Sequence, residues 1–255
     1  MKEKVFFKNK SGLKLCGVLS NPETCKSNHV VIFCHGLYSK KDCSTGIAFE
    51  EKFNQAGLSY FRFDFHAHGE SEGSKDNILY SMARDDILSA IDFLKSRGFA
   101  KFAIIGSSFG GKAAMMACNV SNDISVLGLR CPAVDSSDSL IVNFGHSTPV
   151  KWREDGKFTF PPPLGFTLDY SFYEDSAKFN PLDLASNISV PTIIVHGKKD
   201  NLIPLDNVEQ VNELISHSKL IVLPNSDHFF DYKGDFETLI TLISNFVVDK
   251  FISSE

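Results

Sequence analysis

The chain has 255 residues, 43% apolar and 22% charged, with 26 Lys and Arg against 31 Asp and Glu and a net charge of −5. That composition excludes a disordered chain, which lacks apolar residues to bury. It also excludes a dedicated nucleic-acid binder, which needs a basic excess to neutralise phosphates. No stretch approaches the ~18 uncharged apolar residues of a membrane span, and the opening MKEKVFFKNKSG lacks the apolar centre of a signal peptide.

In chain order, residues 4–8 and 13–19, split by a polar Asn9-to-Gly12 turn, predict an antiparallel hairpin at a sheet edge. Short apolar runs follow at 30–33, 102–105, 126–129, 193–195 and 220–223. Runs of this kind suit parallel strands buried on both faces. Between them Leu79, Met82, Ala83, Ile87, Ala90, Ile91 and Leu94 recur at helical spacing. So do Val208, Val211, Leu214 and Ile215, and a closing helix carries Phe236, Leu239, Ile240, Ile243, Phe246, Val247 and Phe251. Strands alternating with helices predict βαβ units on a parallel sheet. Residues 131–187 break that rhythm, with Pro149, Pro161, Pro162, Pro163, Pro181, Trp152 and many Phe and Tyr. An irregular insertion of that length in a compact domain is expected to be a lid or binding loop. The six cysteines are scattered without CxxC or metal-ligand spacing. They read as free thiols of a reducing compartment, with a cytoplasmic location expected.

The chemistry concentrates at Gly106-Ser107-Ser108-Phe109-Gly110, a G-x-S-x-G match between an apolar strand and a helix-forming AAMMA run. A sharp strand–turn–helix connection needs small residues at both glycines and lifts the central serine off the sheet edge. The positive end of the next helix favours the charge that develops in acyl transfer. Ser107 reads as a packed hydroxyl. A serine nucleophile needs a base, and the base an orienting acid. His228 follows the apolar run at 220–223, and Asp200 follows the run at 193–195, so both fall where a parallel sheet binds its ligands. The order Ser108, Asp200, His228 completes the set.

Four motifs in that order resemble the α/β-hydrolase superfamily. The resemblance is to its serine hydrolases: esterases, monoglyceride-lipase-like and cinnamoyl-esterase-like enzymes, and serine aminopeptidases. They are His35-Gly36-Leu37; Phe63 to Ser71, which departs from the usual pattern at Ala67, where Gly is expected; the Gly106 to Gly110 turn; and His196-Gly197-x-x-Asp200 with His228. The resemblance implies an α/β-hydrolase core at 1–130 and 188–255 with a small inserted cap at 131–187. It implies Ser108 as nucleophile, His228 as base and Asp200 as orienting acid, with backbone N–H groups of Leu37 and Phe109 as the oxyanion hole. It implies no cofactor and no metal. The expected substrate is a small-molecule carboxylic ester with a small to medium acyl or aryl group. Amide, thioester and acyl-transfer chemistry use the same apparatus and stay open, as do a catalytically silent binding protein and the choice of monomer or homodimer.

Other residues compete for roles. Asp135 and Asp138 follow the run at 126–129, where some relatives carry the acid. Asp227 reads as a loop residue. Asp64, His66 and His68 lack a further Asp-His pair for a metal site. His35 and His196 read as structural. Lys40 and Lys41 read as solvated lysines, with contact to an anionic substrate the alternative.

Overall fold

The computed structural model describes residues 1–23, 28–134, 148–162 and 164–252. Strands β1 (Lys2–Lys8) and β2 (Lys14–Ser20) pair antiparallel, Lys8 opposite Lys14, as the polar turn predicts. The Asn9 side chain closes that turn by accepting the N–H groups of Ser11 and Leu13 at 3.0 and 2.9 Å.

Every predicted core strand is present: β3 (His29–Cys34), β5 (Lys101–Ser107), β6 (Ile124–Arg130), β9 (Thr192–Gly197) and β10 (Ser218–Leu223). One more, β4 (Ser59–Phe63), lies between β2 and β3 and gives an eight-stranded sheet in the order β1-β2-β4-β3-β5-β6-β9-β10. From β4 to β10 the pairing is parallel, and β2 joins β4 antiparallel. Strand β4 escapes the apolar pattern because Arg62 interrupts it. That guanidinium is buried, and it ion-pairs with Glu50 at 2.7 Å and with Asp42. Glu50 belongs to helix α1 (Ser44–Gln55), which the sequence reading also lacks.

Helices cover both faces. Helices α1 and α8 (Asp235–Ile252) pack on one, over Val31, Phe33 and Ile105. Helices α2 (Tyr80–Ser96) and α3 (Phe109–Cys118) pack on the other, over Val30, Ile32 and Ile104, with α7 (Leu205–Leu214) at the far end. Past the register shift near its start, side chains alternate along β6, so Val126 faces α8 while Leu127 and Leu129 face α3. Gly128 lets α8 approach closely, since a Cβ there would lie 2.9 Å from Ile243 Cγ2.

Between β6 and β9 the described residues hold short regular pieces. These are α4 (Thr148–Asp155), an antiparallel pair β7 (Lys157–Thr159) and β8 (Thr167–Asp169), α5 (Tyr170–Ala177) and α6 (Pro181–Ser186). Pieces of three to eight residues are too short to show a period, which is why the stretch reads as irregular. Trp152 is their centre: fully buried, it packs on Phe158, Phe160, Phe172 and Tyr173 and donates Nε1–H to Leu168 O at 3.0 Å. Asp175 fastens the segment to α2 by accepting Ser81 N–H and Oγ–H, both at 2.8 Å. Asp135 and Asp138 lie outside the described residues, as does Cys25; the five described cysteines are free thiols. No described helix is long and apolar enough to cross a membrane.

Candidate active site

Strand β5 ends at Ser107, and Ser108 turns the chain into α3 with φ 51 and ψ −112, a left-handed position rare for a side chain with a Cβ. The two flanking glycines make that turn possible. A Cβ on Gly106 would sit 2.6 Å from Gly110 O, and one on Gly110 would sit 2.3 Å from Cys34 O. The elbow is therefore wedged between its own helix and the end of β3. Its backbone is tied down by Ser108 N–H to Arg130 O at 2.9 Å and by Ala133 N–H to Ser108 O at 3.0 Å.

Asp200 lies in the turn after β9, and His228 in the loop after β10. Gly197 brings those loops together, because a Cβ there would lie 2.5 Å from both Ser226 O and Asp227 O. Asp200 Oδ1 accepts the N–H groups of Leu202 and Ile203 at 2.9 Å each, which turns Oδ2 toward His228 Nδ1 at 2.7 Å. Asp227 serves its loop, as expected: Oδ1 accepts the N–H groups of Phe229, Phe230 and Asp231 and shapes the turn that carries the imidazole. His228 Nε2 then stands 3.2 Å from Ser108 Oγ. Burial alone would raise the Asp200 carboxyl. The hydrogen bond and charge of His228 and the Ile203 N–H outweigh it and hold the group down at about 2. A carboxylate on Nδ1 fixes the proton there and leaves Nε2 free to accept one from the serine.

Gly36 closes the site from the β3 side, 3.7 Å from Ser108 Cβ when given a Cβ of its own. The adjoining Leu37 and Phe109 line the same cavity as Ser108, and their N–H groups make no backbone hydrogen bond among the described residues. Two histidines hold this loop. His68 donates Nδ1–H to His66 O at 2.8 Å and accepts Tyr38 N–H at Nε2 at 3.0 Å, with Tyr38 at φ 55. His35 accepts Phe65 N–H at Nε2 at 3.1 Å and places Nδ1 2.8 Å from Gly36 O. Each ring must stay neutral to accept a backbone N–H, and burial pushes both downward, His35 to about 3. Ala67 sits at φ 60, which explains why a glycine suits that place better.

The cavity above Ser108 has a volume of about 600 Å³ and draws its walls from both faces of the sheet. Phe160, Phe166 and Phe172 of the segment between β6 and β9, with Tyr80 and beside Leu164, form an aromatic arm. On the α1 side the lining is Cys43, Ser44, Thr45 and Arg130 beside Phe230. Arg130 is absent from the sequence reading, because an arginine closing an apolar strand reads as a solvated end. It is instead buried, donating Nη1–H to Ser107 Oγ at 3.0 Å and Nη2–H to His228 O at 2.9 Å.

Other candidates sit apart from Ser108. His66 pairs with buried Asp86 at 2.6 Å, and Asp64 accepts Lys41 N–H at 2.6 Å and Nζ–H at 3.0 Å. Lys41 corrects the reading of a solvated lysine: it is 2% exposed and bridges Asp64 and Glu70. Burial opposes its charge, but those carboxylates more than offset it and raise its pKa. Lys40 is exposed. Among the described residues Cys131, His196 and Asp200, and Cys16, Asp64 and Glu70, are close enough to share a cation. Their carboxylates are already engaged by His228 and Lys41.

The pattern of the Alpha/beta hydrolase family matches residues 31–235, and the chain belongs to that family; it is a hydrolase of this fold. The palmitoyl-protein thioesterase ABHD10, mitochondrial, of Rattus norvegicus is 26% identical over 235 residues, covering 88% of this chain and 76% of the relative. Among solved structures, the mouse alpha/beta hydrolase domain-containing protein 10 superposes with a TM-score of 0.82 at 23% identity, over 98% of this chain and 99% of its own. Est1E from Butyrivibrio proteoclasticus with bound ferulic acid gives 0.82 at 20% identity, over 97% and 99%. These relatives correct the expected cytoplasmic location, since the ABHD10 proteins among them are named as mitochondrial. The expectation rests on cysteines read as free thiols, a usage that does not single out the cytoplasm.

Proposed function

We propose that this hydrolase cleaves a carboxylic ester through an acyl-enzyme on Ser108. The observation that carries the reading is the unbroken run from Asp200 Oδ2 through His228 to Ser108 Oγ, at 2.7 and 3.2 Å, on a strained turn at the floor of a cavity. Ser108 Oγ attacks the acyl carbon while His228 Nε2 takes its proton. The carbonyl π electrons move onto oxygen, which the N–H groups of Leu37 and Phe109 receive. Losing one such donor typically costs about 3 kcal/mol of transition-state stabilisation. The electrons return, the alkoxide leaves, and His228 passes it the proton. Water repeats the cycle, releasing the acid and restoring the serine. Asp200 holds the imidazole in the accepting tautomer and balances the imidazolium charge. In this reading residues 131–187 are the cap whose aromatic arm takes the apolar end of a small to medium acyl or aryl ester.

A thioester is the second reading, favoured by similarity to palmitoyl-protein thioesterases across most of the chain. The steps are the same, with a thiolate leaving. Treatment with a fluorophosphonate should add one adduct to the wild-type chain and none to Ser108→Ala. No adduct on folded wild type sinks both readings. Matched oxygen esters and thioesters of increasing acyl length then separate them.

A further inference from the structure

The α1-side arm of the cavity is built unlike the aromatic arm. Arg130 lines it, is 8% exposed, and makes no ion pair among the described residues. Its two protein acceptors, Ser107 Oγ and His228 O, are both uncharged, and its Nε–H has no partner. The guanidinium lies over the Phe230 ring at 5.1 Å. A buried cation whose direct acceptors are all neutral is costly, and an anion placed against it would supply the charged partner it lacks. Among the described residues, Asp200 and Asp227 act on Arg130 only through space, their hydrogen bonds going to His228 and to the Asp227 turn, and Asp42 pairs with Arg62 and Lys41.

The same arm holds the N-terminus of α1, a twelve-residue helix. Cys43, at its N-cap, makes no side-chain capping bond, and the first turn carries no acidic residue. The first-turn N–H groups of a helix have no intrahelical acceptor and favour an anion. Cys43, Ser44 and Thr45 all line the cavity, and Ser44 is exposed at its mouth. Asp231 also lines it, but is exposed, where solvent screens its charge.

We propose that this arm receives a carboxylate carried by the substrate itself, held between Arg130 and the start of α1 while Ser108 attacks the ester. The inference rests on the ester-hydrolase reading and names its substrate class: carboxylic esters or thioesters that bear a second, ionised carboxyl group. A carboxylate suits the site because a planar guanidinium presents parallel N–H donors to it.

The test uses two matched pairs, with the charge on either side of the scissile bond. One is p-nitrophenyl hemiglutarate against p-nitrophenyl pentanoate. The other is 4-acetoxybenzoate against its methyl ester. Wild type should favour the carboxylate member of at least one pair by about tenfold or more in kcat/KM, with the preference shrinking as salt is added. Because Arg130 also holds the His228 loop, Arg130→Gln will slow both members, so the anionic-to-neutral ratio is the readout. It should fall about tenfold, and Arg130→Lys should restore part of it. Ser44→Asp, which puts a negative charge at the helix start, should lower the ratio with Arg130 intact and decides the matter if Arg130→Gln does not fold. Preference for the uncharged member in both pairs overturns the proposal, as does a ratio unmoved by Ser44→Asp and by Arg130→Gln. Turnover of the neutral esters with fluorophosphonate labelling of Ser108 would then leave the ester-hydrolase reading standing. No labelling and no turnover of any ester overturns both.

Discussion

At Ser108 the backbone conformation and the chemistry are one problem. A non-glycine residue at φ 51 costs of order 1–2 kcal/mol. The turn persists because Gly106 and Gly110 let β3, β5 and α3 close on it from both sides. Those glycines make the elbow legible from sequence, since the same spacing has no purpose in a relaxed connection. Asp200 and His228 are legible for a related reason, each lying just past an apolar run. The roles proposed for them lead to a sharp expectation. Asp200→Asn keeps the acceptors for Leu202 and Ile203 N–H but can present an amide to His228 Nδ1, favouring the wrong tautomer. Ester kcat should drop by about 10⁴ with the thermal midpoint little changed. An ester assay beside a melting curve checks this, and near-normal turnover would remove Asp200 from the mechanism. Arg130 and Lys41 show what single-residue reading misses. Their partners, His228 O and Asp64, are distant in sequence, and a cation at a strand end or in a loop reads as solvated until those partners are located.

Among the elements, strands flanked by turn residues were legible and mixed ones were not. Strand β4 is as buried as β3, but Arg62 breaks its apolar pattern, and the carboxylates that neutralise Arg62 come from α1 and the loop before it. Pattern reading therefore loses both elements together. The segment between β6 and β9 fails for another reason: its described pieces are ordered by one buried ring rather than by repetition. Trp152 touches α5, β7 and the residue after it, and donates to β8, so its removal leaves those pieces without a common core. Trp152→Ala should cost about 3–5 kcal/mol in a urea melt followed by tryptophan-independent circular dichroism. Phe160 and Phe172 pack on Trp152 and also line the aromatic arm, so hydrolysis of hexanoate esters should fall more than that of acetates. An equal loss for all acyl lengths would detach the segment from acyl recognition.

Across the whole molecule, the C-terminal edge of the parallel sheet gathers histidines that the fold keeps neutral. His35 and His68 hold the Leu37 loop, and His196, at the end of β9, places Nε2 3.1 Å from Ile203 O beside Asp200. Burial lowers all three, His35 from 6.5 to about 3. The unfolded chain therefore binds protons that the folded chain refuses, and stability falls as pH drops from about 6.5 toward 3. The carboxylates with depressed values, Asp42, Glu70 and Asp200, work in a lower window. The stability they add is complete above their unfolded values near 4 and is lost only as pH falls through their folded ones. The interval from pH 6.5 to 4.5 thus belongs to the histidines. For fully buried His35 alone the loss by pH 4.5 is roughly 2 to 3 kcal/mol, or roughly 5 to 10 °C in Tm for a domain of this size. His35→Gln retains a donor for Gly36 O and an acceptor for Phe65 N–H but does not titrate. Its melting temperature should be lower than wild type at pH 7.5 and should decline less steeply between pH 6.5 and 4.5. Parallel slopes for the two proteins would place the acid sensitivity elsewhere than at the loop beside the proposed oxyanion hole.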